Sequence, residues 1–192
     1  MKLSLTAISL GIREFEILVE LYLDLGNWDK VGEKVASENL FQQTSRSSTV
    51  RQCREIRQRI QSLQKETLEN FVEWGTEERK FIAFLAVCKT YPFVFEFVSQ
   101  VLDEKLAIYD YQLQEVDFTA YWNEKVMEYP ELDSVTESTK KKIKQVLVRT
   151  LAEAGLLDDT SSQRITPHFP IPRLDEVFLR EGNKYRKALL TS

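Results

Sequence analysis

TSRSSTVRQCREIRQRIQSL, residues 44–63, decides the fold because it joins a helical apolar pattern to five arginines and one acid, Glu55. Its apolar residues recur at intervals of three and four, the period of an α-helix with one buried face. The residues predicted to be buried are Val50, Cys53, Ile56, Ile60 and Leu63. Thr49, followed three residues later by Gln52, matches a capping box. The stretch therefore predicts an amphipathic helix capped by Thr49.

The face opposite the apolar stripe of this helix is basic. At about 100° per residue, that face is centred on Arg51, Arg54 and Gln58. Arg57 and Arg59 lie on its two shoulders. Guanidinium groups form forked hydrogen bonds that suit the oxygens of a phosphate backbone. The face is therefore predicted to contact nucleic acid.

The start of the same helix favours an anion. Ser47, Ser48 and Thr49 crowd an N-terminus whose free amides already attract negative charge. The alternative is a basic face that is merely solvated, and such faces normally pair arginine with glutamate at a spacing of four. Because only Glu55 can balance a charge in the stretch, and Glu55 with Arg59 is the single well-ordered pair, we favour nucleic-acid contact.

A second stretch repeats the design: STKKKIKQVLVRT, residues 138–150, has four lysines and one arginine but no acid. Its predicted buried residues are Ile143, Val146, Leu147, Leu151 and Ala154. Its predicted outward residues are Lys141, Lys142, Gln145 and Arg149. The whole chain carries −4, so such segregation of positive charge produces a local field that attracts a polyanion to one side.

The remaining pattern predicts an all-α, compact multi-helix globular fold. Helices are predicted over 12–25, 27–40, 66–74, 76–90, 92–108 and 117–129 and from about 173, and six Gly and five Pro are few for a turn-rich β protein. Each basic helix is interpreted as part of a helix-turn-helix-like element, although the first connection, Phe41–Ser48, is long. Gln163–Thr166 is interpreted as a small strand or minimal wing. Residues 1–110 and 111–192 would carry one element each within one compact unit.

The residues that catalysis or cofactors need are scarce. Cys53 and Cys88 lie in helical patterns and are expected to be buried free thiols in a reducing cytosol. The single histidine, His168, lies between prolines, and no metal, phosphate-loop or carboxylate-cluster motif occurs. The longest apolar run, Phe81–Cys88, is far shorter than the ~20 residues of a membrane helix. We therefore expect a cytoplasmic, monomeric, non-enzymatic protein without cofactor, metal or membrane contact.

Two segments of the chain resemble one protein family. REFEILVELYLDLGNWDKVGEKVASENLFQQTSRSSTVRQCREIRQRI, residues 13–60, and ESTKKKIKQVLVRTLAEAGLL, residues 137–157, are similar to the BrxA family of bacteriophage-exclusion (BREX) defence systems. The resemblance runs in order over about residues 5 to 180. It implies an all-helical, non-enzymatic accessory component that binds double-stranded DNA beside other BREX components. The implied DNA-facing residues are Arg46, Ser47, Ser48, Thr49, Arg51, Arg54, Lys141, Lys142 and Arg149.

Binding through phosphates gives affinity without sequence information, so weak or no sequence specificity is expected. Gln58 and Gln145 are the outward side chains of the two basic helices that are suited to adenine. Two alternatives remain open at this point. The basic faces could dock acidic patches of partner defence proteins, or the chain could be an RNA-binding helical module.

Overall fold

The prediction of an all-α fold is confirmed by a computed structural model, which describes residues 3–190 without the side chains of residues 4 and 5. Ten α-helices run through this part of the chain: α1 Ile12–Leu25, α2 Trp28–Ser37, α3 Arg46–Ile60, α4 Lys65–Phe71, α5 Thr76–Thr90, α6 Pro92–Glu96, α7 Asp103–Ala107, α8 Glu115–Glu128, α9 Glu137–Glu153 and α10 Leu174–Glu181. A π-helical turn, Phe97–Leu102, joins α6 to α7. Short 3-10 segments occupy Ser4–Ala7, Pro130–Ser134 and Asn183–Leu189.

Helix α5 forms the centre of the hydrophobic core. Its residues Phe81–Cys88 are all buried, and the helix contacts α1, α3, α4, α6 and the 3-10 segment near the C-terminus. No single helix within residues 3–190 is long and apolar enough to cross a membrane. Only α5 taken together with Pro92–Ala107 passes that test, and the two parts are bent by 113°.

The first three helices pack against one another in pairs. Gly26 ends α1 in the left-handed conformation, at φ +60°, as its position in the sequence predicts. Asn27 then caps α2, because its side chain accepts hydrogen bonds from the amides of Asp29 and Lys30. Residues 38–45 connect α2 to α3, and the buried ring of Phe41 anchors this connection to the core.

The predicted start of α3 was wrong by one helical turn. The N-cap is Ser45, whose hydroxyl accepts a hydrogen bond of 3.2 Å from the amide of Ser48. Thr49 lies inside the helix, 2% exposed, and its hydroxyl donates to the carbonyl of Ser45. Starting at Ser45 adds a turn to the helix and satisfies a free amide, so Thr49 and Gln52 form no capping box.

The predicted buried face of α3 was also partly wrong. Ile56 and Ile60 are buried as expected, but Val50 is 44% exposed, while Glu55 and Arg59 are 7% and 1% exposed. The buried face is therefore turned away from Val50 and towards the two charged residues. The physical reason is that these charges neutralise each other: Arg59 Nε donates to Glu55 Oε1 over 2.9 Å.

The remaining donors of Arg59 hold the segment Ile8–Leu10, which we call the clamped segment. The guanidinium donates to the carbonyls of Ile8, at 2.8 Å, and of Leu10, at 3.1 Å, and also to that of Ser9. Buried polar groups are tolerated when each finds such a partner. Arg59 thus fixes α3 to the chain that precedes α1.

Helix α9 holds the same segment from the other side. Glu153 Oε1 accepts a hydrogen bond of 2.8 Å from the hydroxyl of Ser9, and Oε2 accepts one of 2.9 Å from the amide of Leu10. The predicted buried residues of α9 are all buried. Through the clamped segment, the two basic helices have a fixed relation to each other.

The parts of the chain before and after residue 110 also meet elsewhere. The buried Glu181 of α10 accepts hydrogen bonds from the amide of Gln64 and the hydroxyl of Thr67, and it pairs with Lys89. The division at residue 110 stays a prediction, and residues 1–2 and 191–192 of the two predicted parts lie outside the described residues.

The predicted strand at Gln163–Thr166 makes single bridges rather than a strand. Leu157 pairs with Ile165, and Gln112 pairs with Arg164, both antiparallel, and residues 3–190 contain no sheet. The turn between the two paired segments, residues 158–163, follows α9 in the position that the minimal wing was predicted to have.

Candidate nucleic-acid interface

The exposed face of α3 carries three arginines without an acidic partner. Arg46, Arg51 and Arg54 are exposed, and none of them forms a hydrogen bond or ion pair with another residue of the described chain. Together with Ser47 and Val50 they line a shallow depression of about 560 Å³. Arg46 is the first residue of the helix, so its charge adds to the positive end of the helix dipole.

Several other predicted residues of α3 do not face solvent freely. Thr49 is buried, so its predicted place on the interface was wrong. Ser48 is half-buried and its hydroxyl is hydrogen-bonded to Ser45 over 2.9 Å. Gln58 is half-buried rather than fully outward. Arg57 lies over the ring of Trp28, 5.4 Å from its centroid.

Arg57 also pairs with Asp29 of α2, at 3.6 Å. Beside it, burial raises the pKa of the Cys53 thiol above its usual value, although the charge of Arg57 partly opposes this effect. Reactive cysteines need a lowered pKa, so the groove between α2 and α3 does not favour thiol chemistry.

The exposed face of α9 carries the four residues that were predicted to point outward. Lys141, Lys142 and Gln145 are exposed, and neither lysine has an acidic partner within residues 3–190. Arg149 is also exposed, but its Nε donates to Glu153 Oε1 over 2.8 Å. Lys144 is different, because it turns towards Glu115 and burial lowers its pKa.

The two basic helices border one groove. Its volume is about 630 Å³, and its floor is the chain from Thr6 to Glu14. Gln52 of α3 lines one wall, and Lys142, Gln145 and Arg149 of α9 line the other. A second groove, of about 600 Å³, separates α9 from the turn at residues 158–163. The exposed ridge of α9 therefore lies between two grooves.

The sequence did not indicate that α3 and α9 share a groove. The contacts that place them together run through the clamped segment, whose sequence carries no charge or motif. Gln52 was interpreted as part of a cap, whereas it lies inside α3 and lines the groove. Ser45 was missed as the cap although it precedes the arginines directly.

The chemistry of this surface is that of anion binding. Guanidinium and ammonium groups stand on two rigid helices, and α3 adds the N-terminal end of its dipole. No group of three or more His, Cys, Asp or Glu residues that could hold a metal ion occurs among the described residues. Burial lowers the pKa of His168, which lies against Phe81 at a ring distance of 4.8 Å and outside both basic faces.

Comparison with known proteins finds relatives that carry the same family description. The family model for BrxA matches residues 2–182. The chain is 26% identical over 172 residues to the BREX protein BrxA of Escherichia coli O9:H4 (strain HS), covering 90% of this chain and 81% of that protein. It is 29% identical over 135 residues to the BREX protein BrxA of Bacillus cereus (strain H3081.97), covering 70% and 68%.

The fold is also found among solved structures. The crystal structure of an uncharacterized protein from Magnetospirillum magneticum superimposes with a TM-score of 0.85. The match covers 100% of this chain and 98% of that one, at 18% sequence identity.

Proposed function

Because the chain belongs to the BrxA family of BREX phage-defence components, we propose that it serves defence by binding the phosphate backbone of double-stranded DNA through α3 and α9. The proposal assigns it binding rather than catalysis. In this role it would act beside other BREX components.

One observation carries the proposal. Five exposed cations on two helices, Arg46, Arg51, Arg54, Lys141 and Lys142, have no acidic partner among residues 3–190, although the chain is acidic overall. Solvated surface helices often offset such charges with acids at a spacing of three or four. Among these five cations only Lys141 has an exposed acid so spaced, Glu137, and the two form no ion pair. Lys142 and Lys141 line the two grooves beside α9, and the three arginines line the separate depression on α3. Free cations around such open surfaces favour a polyanion that supplies the missing negative charge.

The rigid relation between the helices supports a single duplex as the ligand. Arg59 of α3 and Glu153 of α9 hold the same three-residue clamped segment. A duplex lying on both faces would therefore meet cations whose spacing is already set. Preorganised contacts of this kind bind more tightly because less freedom is lost on association.

The number of free cations sets the expected salt dependence. Five phosphate contacts predict a slope of about −4.5 in a plot of log affinity against log salt concentration. Between 50 and 200 mM salt, the affinity should then fall by about 500-fold. Fluorescence anisotropy with a labelled duplex of random sequence measures this fall directly, and an unrelated duplex should give the same slope.

Paired substitutions test how much each of the two helices contributes to duplex binding. Arg51→Ala with Arg54→Ala, and separately Lys141→Ala with Lys142→Ala, should each reduce the slope by about 2. Lys187→Ala is the matched control, because Lys187 is exposed but lies near the C-terminus, outside both basic faces. Its slope should equal that of the wild type.

Other outcomes would contradict the proposal in distinct ways. No binding at 50 mM salt would exclude duplex DNA as the ligand of these faces. Stronger binding to a structured RNA competitor would instead favour an RNA module. A protein partner that survives nuclease treatment, and that the Arg51/Arg54 double variant loses, would favour a docking surface.

A further inference from the structure

The exposed face of α3 has an apolar side chain, Val50, beside its arginines. Val50 is 44% exposed, and it lies in the same depression as Arg46, Ser47, Arg51 and Arg54. Single exposed apolar residues are common and by themselves need no explanation. The unusual feature here is the position of Val50, since three free guanidinium groups line the same depression on one side of it. On its other side Val50 borders the groove towards α2, which Gly32 and Glu33 also line.

Arg46, Val50 and Arg54 form one row along the helix. They are spaced by four residues, so their side chains lie one above another on the same face. A rise of about 1.5 Å per residue places each arginine about 6 Å along the axis from Val50. Successive base pairs are about 3.4 Å apart, so this separation corresponds to roughly two base steps.

The chemistry of the row differs from that of a purely phosphate-binding surface. A valine gains nothing from a phosphate, whereas the major groove offers one apolar group, the C5 methyl of thymine. Arginine is the side chain best suited to the O6 and N7 acceptors of guanine in the same groove. Residues near the start of a helix are the ones that reach base edges when a helix enters the major groove.

We propose that Val50 reads the methyl group of a thymine, with Arg46 and Arg54 directed to guanines within about two base pairs on either side. This inference rests on the proposed DNA-binding function and refines it. With Arg46 and Arg54 on bases, three of the five cations remain for phosphates, and the expected salt slope becomes about −2.7. The sequence-based expectation was weak or no sequence specificity; the inference replaces it by a modest preference that residues of α3 determine. Helix α9 then supplies affinity through phosphates, because its free cations Lys141 and Lys142 have no apolar residue beside them on the exposed face.

A selection experiment with the full chain tests the inference. Random 20-base-pair duplexes are selected at about 100 mM salt on the wild type, on Val50→Ala and on Val50→Thr, and are then sequenced. The wild type should enrich a thymine with guanine within two positions. Val50→Thr, which keeps one methyl group, should retain the enrichment, whereas Val50→Ala should lose it. Leu179→Ala is the matched control, because Leu179 is 71% exposed on α10.

A second measurement isolates the methyl group. In the selected duplex, deoxyuridine replaces the enriched thymine, which removes the methyl and changes nothing else. The affinity of the wild type should fall by about fourfold, the value expected for one buried methyl group, and that of Val50→Ala should not change.

The failures of the two proposals are distinguishable. No thymine enrichment, or equal binding of the thymine and deoxyuridine duplexes by the wild type, overturns the assignment of Val50. If the steep salt dependence persists in that case, backbone binding stands and only the reading of the base fails. If no duplex is bound at all, the proposed function fails and this inference fails with it.

Discussion

Substitution of Arg59 by methionine should remove the polar centre that holds α3 to the clamped segment. Methionine has a similar length but lacks the guanidinium, so Glu55 would keep a buried carboxylate without its ion-pair partner. The carbonyls of residues 8–10 would also lose their donors. Removing one partner of a buried pair costs about 3–5 kcal/mol. That is a large share of the roughly 5–15 kcal/mol by which a domain is stable.

Urea denaturation followed by tryptophan fluorescence measures this cost. At a slope of about 2 kcal/mol per molar urea, a loss of about 4 kcal/mol moves the midpoint down by about 2 M. Arg54→Met is the control, because Arg54 is on the same helix but exposed and without a partner among residues 3–190. It should change the free energy of unfolding by less than about 0.5 kcal/mol.

A double variant separates the pair from the rest of the network. Glu55→Gln combined with Arg59→Met leaves no buried carboxylate, so it should be less destabilised than Arg59→Met alone. A loss below about 1 kcal/mol for Arg59→Met would refute the reasoning. It would mean that water reaches Glu55 and the carbonyls of the clamped segment, so that the guanidinium is not needed there.

Three further outcomes are expected. Lys142→Ala should weaken duplex binding in anisotropy more than Arg149→Ala, since an ion pair already holds Arg149; equal losses would contradict this. Cys88 is 1% exposed and burial raises its pKa, so native protein should take at most one thiol label, at Cys53, and two in denaturant by mass spectrometry. Two labels on native protein would show that Cys88 is accessible. Burial lowers the pKa of His168 below its ordinary 6.5, so protons bind the unfolded chain preferentially and the melting temperature should fall as pH drops below about 6.5. His168→Gln should reduce this fall in melting temperature. If the variant kept the pH dependence of the wild type, His168 would be excluded as its cause.

Helices whose buried face carries no charge were predictable from the sequence. The bounds of α1 agree with its pattern, and Gly26 and Asn27 mark the junction with α2 as capping chemistry requires. In α9, the predicted buried and exposed residues all lie on the expected sides. Local periodicity suffices in these cases because no charged residue is buried in either helix, and the one buried polar side chain of α9, Thr150, donates to the carbonyl of Val146 within the helix.

The same reasoning failed in α3 because its buried face is partly ionic. Glu55 and Arg59 were counted as surface residues, and this error placed Val50 inside and Arg59 on a shoulder of the exposed face. The partners that make burial of Arg59 acceptable are backbone carbonyls about fifty residues away, which no local pattern reveals. The shared groove between the basic helices was missed for the same reason.

The clamped segment also has a consequence for how the protein is made. Ser9 and Glu153 are 144 residues apart in the chain, although their side chains share a hydrogen bond. A ribosome that adds about 5–20 residues per second needs about 7–30 s to travel from one to the other. Arg59 emerges much earlier, so α3 can take hold of the nascent N-terminal segment while α9 does not yet exist. The groove between the two basic helices is therefore assembled well after α3 has formed, and it is completed only when Glu153 reaches Ser9.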